Sequence, residues 1–350
     1  MLESIKGKML VAVAVLILIV VGGTAYILYG QSSEILEDTI MASAEESARQ
    51  NANTISEWLN GVEVFIKDLA DANDVQTMMW SSQERYLKEA THSEIENIMV
   101  ARPNGKANVV GGESLDISDR NYFQEVIETG KVTYSNARAS ELSEGNVISI
   151  AVPIKGMEDK TLGALIATVS TNYIQNLINE MNINGAGAGW IINEEKNTIA
   201  YPEKEYIAST ELAESNSKLI SITDKMTAGE SGVANYTYND ASKIIAYNPV
   251  EVNGWSVAMT ANRNEVMSPL NNLRNISLII AAAALLLGVI ITYAIASYIA
   301  NPINYVTGVA EKLAAGNFTV NIKEKYLNRS DEVGNLAASF SEMIDNLSSM

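Results

Sequence analysis

The sequence predicts an α+β protein organised around a membrane. It has a long stalk helix and two successive strand-turn-strand modules outside, two transmembrane helices, and a helical hairpin on the cytoplasmic side. Three observations predict this. Two apolar runs, Met9 to Leu28 and Ile276 to Ala300, each hold about 20 or more residues without a charge, enough to cross a bilayer as a helix. Between them the apolar spacing changes twice from helical to strand-like. Behind the second run, apolar residues resume at alternating steps of three and four, the spacing of a helical seam.

Bulk properties narrow the function. The 350 residues carry a formal net charge of −18, which argues against nucleic acid as a partner, since phosphate needs a basic surface. There is no cysteine, so disulfides and thiolate metal sites are excluded. The one histidine, His92, argues against a histidine-based triad or zinc cluster. No cofactor is expected.

The elements follow in order. Lys6 and Lys8 precede the first run and place residues 1–8 in the cytoplasm. Residues 9–29 read as an uncleaved signal anchor: the run is longer than a signal-peptide core, and no small-x-small cleavage site follows. With a second span at 276–299, residues 30–275 lie outside the cell membrane and 300–350 return inside. Lys312, Lys323, Lys325 and Arg329 are compatible with that orientation.

From about 31 to 72 the pattern is helical. Ile55, Leu59, Val62, Ile66 and Leu69 fall on one face, as in a stalk packed along the domain it carries. A first module, about 73–183, opens with strands at Ile98–Ala101 and Ala107–Val110 around a Pro103-Asn104-Gly105 turn. A helix over Tyr122–Ile127 ends at Gly130. Strands at Val147–Ile154 and Leu162–Val169 and a helix at Asn172–Met181 complete it. A second module, about 184–265, begins with Gly189–Ile192, a turn at Asn193–Asn197 and Thr198–Tyr201. It continues with strands at Val233–Tyr238, Lys243–Tyr247 and Trp255–Thr260. Trp190 and Trp255 read as core residues. His92 reads as a surface residue in a polar helical stretch.

Past the second span, Ile303, Val306, Ala310 and Leu313 form a first seam. Gly316 breaks it, Phe318 and Ile322 are apolar anchors in a connector, and Asp331-Glu332-Val333-Gly334 opens a second helix. There Val333, Leu336, Phe340, Met343, Leu347 and Met350 hold the three-four alternation. One helical pair leaves its seam bare, so the pattern predicts a homodimer with a four-helix bundle. The seam still runs at Met350, so the chain is expected to be cut in mid-helix.

At these residues the sequence resembles a bacterial methyl-accepting chemotaxis protein with a double Cache sensor and a HAMP linker. The HAMP likeness rests on Pro302-Ile303, Gly316-x-Phe318 and Asp331-Glu332-Val333-Gly334 with the heptads behind them. The Cache likeness rests on Asp116 to Phe123, on Ser149 to Ile154, and on Ala246 to Val250 with Gly254 to Val257. The resemblance implies two PAS-like modules, a small-molecule ligand in the membrane-distal one, and control of a cytoplasmic kinase and adaptor through a signalling domain beyond residue 350. The same front end also precedes histidine kinases and diguanylate cyclases.

The resemblance also implies a site. In the family an arginine of an R-x-aromatic-aromatic segment grips a carboxylate; here that segment is Arg120-Asn121-Tyr122-Phe123. A guanidinium fork matches two carboxylate oxygens, and neighbouring aromatics exclude water. The alternative is that Arg120 caps local structure or pairs with Asp116 or Asp119. Tyr134, Asn136 and Arg138 alternate along the next strand and so share one face, which completes the pocket or faces solvent. Ser149 is a further candidate. The amino-acid-binding version of the family has a tyrosine where this chain has Leu115, a tryptophan at Tyr122, and an aspartate for the ligand's ammonium at Thr168. A buried ammonium without a counter-charge is costly. The expected ligand is therefore a small organic carboxylate or a nucleobase-like ring rather than an ordinary amino acid. A membrane-tethered enzyme is the rival from another class. It would need a framed nucleophile and base, and no motif frames Asp116 and Asp119.

Overall fold

The computed structural model describes residues 5–90, 92–142, 145–317 and 319–348. They divide into two compact units, residues 35–268 and residues 5–34 with 269–348. The first helix, α1 (Ile5–Ala70), contributes to both.

In the 35–268 unit, the predicted stripe on α1 is buried: Ile55 and Leu59 are fully covered, and Val62, Ile66 and Leu69 nearly so. The stripe runs further back than large residues alone indicate, since Ile40, Ala44, Ala48 and Ala52 continue it at four-residue steps. Arg263 bonds Glu37 at 2.6 Å, and Asn51 contacts the sulfur of Met259 at 3.4 Å, so this earlier part lies along the second module. Further along, Trp58 stacks on Tyr173 at 5.0 Å and donates to Glu94.

The first module follows with α2 (Asn73–Gln76), α3 (Trp80–Leu87), β1 (Ile95–Ala101), β2 (Lys106–Val109) and β3 (Ser114–Asp116). Then come α4 (Asn121–Thr129), β4 (Thr133–Tyr134), β5 (Arg138–Ala139), β6 (Asn146–Lys155), β7 (Thr161–Ser170) and α5 (Thr171–Glu180). The strands make one antiparallel sheet in the order β3-β2-β1-β7-β6-β4, with β5 also on β6. Helix α4 covers one face, burying Phe123 and Val126 against Met99, Ala151 and Ile166. His92 departs from the sequence reading. It lies outside any helix, before β1, and is half-buried with its ring 5.0 Å from Phe65.

The second module holds β8 (Ala188–Ile192), β9 (Thr198–Ala200), α6 (Ser217–Thr227), β10 (Gly232–Tyr238), β11 (Ala241–Pro249), β12 (Ser256–Asn262) and α7 (Arg263–Val266). Its antiparallel sheet runs β10-β11-β12-β8-β9. Trp190 is the core residue expected, 1% exposed and donating to Thr198 Oγ1 at 3.2 Å.

The other unit joins residues 5–34 of α1 to α8 (Pro269–Ala314), α9 (Glu324–Leu327) and α10 (Glu332–Ser348). Both long helices contain stretches apolar enough to cross a membrane, each with mean hydropathy 2.7. Their large side chains, such as Ile19 and Leu286, stand exposed, as a lipid solvent requires. Helix α8 runs unbroken through Pro302, although proline removes one backbone donor there. Around that position Lys6 donates to Asn301, and the Arg329 guanidinium lies 4.2 Å over the Tyr298 ring.

Val306, Val309 and Leu313 of α8 pack with Ile322, Ala337 and Ile344. Leu336 and Met343, which the heptads place on the seam, are 41% and 48% exposed in the single chain. Asp331 caps α10, accepting from the Gly334 amide at 3.1 Å and from Arg329 at 2.5 Å. The Arg329 hydrogen bond holds the Asp331 carboxyl down at about 2. Position 334 must be glycine because a Cβ there would collide with the Arg329 carbonyl. The expected anchor Phe318 and the seam side chains Leu347 and Met350 lie outside the described residues.

The α1 stripe sets a test of the packing. Leu59→Ala removes a fully buried side chain against both neighbours on its stripe and is expected to cost about 2–5 kcal/mol. The exposed Glu57→Ala two residues away is expected to stay within about 0.5 kcal/mol. Scanning calorimetry of the two variants measures the contrast.

Candidate functional site

A cleft of about 490 Å³ opens in the 35–268 unit, walled by α4 and the β4–β5 edge on one side and by two turns of the second module on the other. Five of the residues expected from sequence line it: Arg120, Tyr122, Tyr134, Asn136 and Arg138. They arrive by different routes.

Arg120 is the backbone cap of α4, in extended conformation (φ −82°, ψ 123°), which turns its side chain away from the helix. Its guanidinium is 20% exposed and pairs with Glu141, with Asp119 at 3.7 Å as a second, weaker partner. The local-pairing alternative is thus present in part through Asp119, with Glu141, which the sequence did not indicate, as the nearer partner. Arg138 Nη1 lies 4.0 Å from the same Glu141 oxygen. One carboxylate oxygen therefore sits between two guanidinium groups.

Tyr134, Asn136 and Arg138 do not share a face as their spacing implies. Tyr134 is opposite Ile150, whereas Arg138 is opposite Val147. Four residues on this edge span three on β6, a one-residue bulge, and such a slip moves later side chains to the other face. The bulge is held by Ser135, whose amide donates to the Ser149 carbonyl at 2.8 Å and whose Oγ accepts from the Ser149 amide at 2.7 Å. Consequently the Tyr134 hydroxyl donates to Glu63 on α1. Arg138 instead reaches Ser149 Oγ at 3.3 Å on the α4 side of the sheet.

Asn136, in the bulge, crosses to the second module. Its amide donates to Glu195 at 3.2 Å, and its carbonyl oxygen accepts from Asn193. Asn193 is itself fixed, because its Oδ1 accepts the Glu195 and Asn197 amides at 3.0 and 2.8 Å.

Three expected residues lie off the cleft. Phe123 is 3% exposed in the core under α4. Ser149 is fully buried, one hydrogen bond behind Arg138. Thr168 is 2% exposed opposite Ser149, with its hydroxyl 3.5 Å from the Asn97 carbonyl.

Sequence reasoning missed Glu141, Asn193, Glu195 and Asn253. All are polar residues in turns, without periodicity or a charge pattern to mark them. Trp255 was expected only as core; it is 3% exposed and also lines the cleft, edge-on to Tyr134 at 6.3 Å.

Burial first, then the Glu63 hydrogen bond and charge, push the Tyr134 phenol above its ordinary value near 10. The native state therefore keeps that proton at pH values where an unfolded chain releases it. The resulting stability is complete below about pH 10 and falls as pH rises above it. Tyr134→Phe is expected to make the alkaline unfolding limb less steep without moving the acid limb, as measured by denaturation across pH.

Comparison with known proteins bears on the fold and the domain order. The family model described as Cache domain matches residues 32–270, and the HAMP domain model matches residues 294–349. The methyl-accepting chemotaxis protein McpA of Bacillus subtilis (strain 168) is 24% identical over 368 residues, covering 99% of this chain and 52% of McpA. The chain thus spans about half the length of the curated relatives it matches. The ligand-binding domain of Mlp24 with asparagine superposes at TM-score 0.55 and 16% identity, covering 68% of this chain and 98% of that domain. The extracellular domain of a histidine kinase, mmHK1S-Z2, reaches 0.55 at 14% identity, covering 67% and 99%. At these identities the solved structures speak to the fold alone.

Proposed function

The chain belongs to the Cache domain family, with a HAMP domain behind the sensor and distant homology to methyl-accepting chemotaxis proteins, and from that premise we propose that it is the sensing half of a transmembrane chemoreceptor. Its sensor binds a small extracellular molecule. Binding shifts α8, and the HAMP helices pass the change to an output that governs a cytoplasmic kinase and its adaptor. The sensor lies outside the cell membrane between spans at 9–29 and 276–299, and the receptor works as a homodimer. The exposed Leu336 and Met343 of the seam support that pairing.

One observation carries the ligand reading. The Glu141 carboxylate sits between Arg120 and Arg138, two residues that line the cleft. A ligand carboxylate, or the acceptor edge of an imide ring, fits the same two guanidinium groups and takes the place of Glu141. Glu141 is 49% exposed, so water receives it at little cost. The Mlp24 domain was solved with asparagine, but this chain has neutral Thr168 buried on β7. That favours a small organic carboxylate or a nucleobase-like ring over an ordinary amino acid.

A second reading of the output is favoured by the histidine-kinase domain of similar fold. Incubating the complete gene product with ATP and with a methyl donor separates the two. Phosphate on histidine marks a kinase, and methyl esters on glutamate mark a chemoreceptor.

Titration of the full chain in nanodiscs with acetate, succinate, uracil and the common amino acids tests the ligand. We expect succinate or uracil to bind, Arg120→Ala to weaken that binding at least about tenfold, and Glu141→Ala to tighten it a few-fold by removing the tethered competitor. Micromolar binding of a common amino acid would overturn the ligand class.

A further inference from the structure

We infer that the second module supplies a ligand contact of its own, the side-chain NH2 of Asn253, so that an acceptor-rich molecule in the cleft is held by both modules at once. This rests on the cleft being the ligand seat.

Among the described residues, four buried side-chain polar atoms have no hydrogen-bond partner: Tyr122 Oη, Arg138 Nε, Asn253 Nδ2 and Ser297 Oγ. Three of the four belong to residues that wall this one cleft. Buried polar groups are nearly always paired; these three belong to residues around a single cavity, and a ligand that displaces the side chains covering them would supply their partners from outside the chain. The chemistry is one-sided. Arg138 Nε and Asn253 Nδ2 donate only, and the Tyr122 hydroxyl can donate. What satisfies them is a compact set of acceptors, as in a carboxylate or an imide ring. An ammonium group satisfies none of the donor-only nitrogens.

Asn253 is oriented for this. It lies in the turn between β11 and β12, which the Val250 amide closes by donating to the Trp255 carbonyl at 2.7 Å. Asn253 Oδ1 accepts from the Trp255 amide at 3.2 Å, which fixes the carboxamide and leaves its NH2 over. The next residue, Gly254, has φ +70° and lies under the Glu194 carboxylate, where a Cβ would collide. The turn is held by the Val250–Trp255 backbone bond and by the Trp255 amide on Asn253 Oδ1, and these position Asn253. Arg138 and Tyr122 stand on the first module, from β5 and α4. A ligand that satisfies all three joins the modules.

Asn253→Asp is the informative variant. It keeps the oxygen that the Trp255 amide needs and exchanges only the donor. Asn253→Ser removes the NH2 without adding charge, leaving only a shorter hydroxyl that can still accept from the Trp255 amide. With the full chain in nanodiscs, dissociation constants are measured for uracil and succinate in the native chain, both Asn253 variants and Arg120→Ala. Melting temperature without probe reports folding.

The expected result is a loss of about tenfold or more for neutral uracil in both Asn253 variants, and a larger loss for succinate in Asn253→Asp, where charge repulsion adds. Binding that Arg120→Ala removes and both Asn253 variants leave within about twofold would overturn this inference while leaving the cleft as the ligand seat. Binding that both Asn253 variants lose and Arg120→Ala keeps would support the second-module contact and sink the role given to Arg120. Binding of neither probe to the native chain would overturn the acceptor-rich ligand and this inference together.

Discussion

The bulge between Tyr134 and Arg138 lets one short edge serve two purposes. A regular strand would send Tyr134, Asn136 and Arg138 to the same side. With one residue extra, Tyr134 faces the stalk helix and holds Glu63, while four residues later Arg138 faces α4 and the cleft. Ser135 makes this stable because its hydroxyl oxygen accepts the Ser149 amide, so the ladder loses no backbone partner at the break. The bulge thus ties Arg138 through β4 to the half-buried Tyr134 phenol and, through its hydrogen bond, to Glu63 on α1. Glu63, only 12% exposed, also pairs with Lys67, so the stalk side of this contact is itself constrained.

The same bulge joins the two modules. Asn136 projects from its crest to Asn193, and Asn193 shapes its own turn through two amides of residues 195 and 197. The hairpin that reaches over is therefore stiff, and its contact with the first module is polar. A polar junction suits a part that must slide. Hydrogen bonds between amide side chains exchange with water at a small net cost, whereas separating an apolar interface exposes area at about 25 cal/mol per Å². The core under α4 and the core around Trp190 lie away from the Asn136–Asn193 contact, but the modules also meet through apolar groups: Tyr134 is edge-on to Trp255, and Ile178 of α5 and Met181 just after it lie against Gly189 of β8.

Much of the fold was legible because it obeys periodicity. The α1 stripe, the paired strands of both modules and the cap at Asp331 are all set by spacing or by turn chemistry, and each formed where the sequence placed it. The site was legible only as far as a motif reached. Arg120 and Tyr122 were found through the R-x-aromatic-aromatic segment, but Phe123 in that segment went to the core. The alternation argument brought Asn136 and Arg138 to the cleft for the wrong reason, because a bulge leaves no mark in the pattern of residue types. Glu141 and Asn253 were invisible. Glu141 meets Arg120 from 21 positions away and Arg138 from three, and Asn253 comes from a whole module away; neither composition nor period encodes that.

The unpaired donors also bear on how a ligand could move anything. A ligand shifts a conformational balance only by its difference in affinity between states. A molecule held by one rigid wall binds equally well wherever the other wall sits, and shifts nothing. Donors divided between α4, β5 and the β11–β12 turn can all reach one small molecule at only one separation of the two modules. Each donor left over at other separations is a lost hydrogen bond, about 0.5–1.5 kcal/mol, or more where a charged group takes part. Two such bonds, about 1–3 kcal/mol, favour one arrangement by about 5- to 150-fold, the range typical of coupling between sites. The division of the donor set between modules is therefore what would make binding and movement the same event.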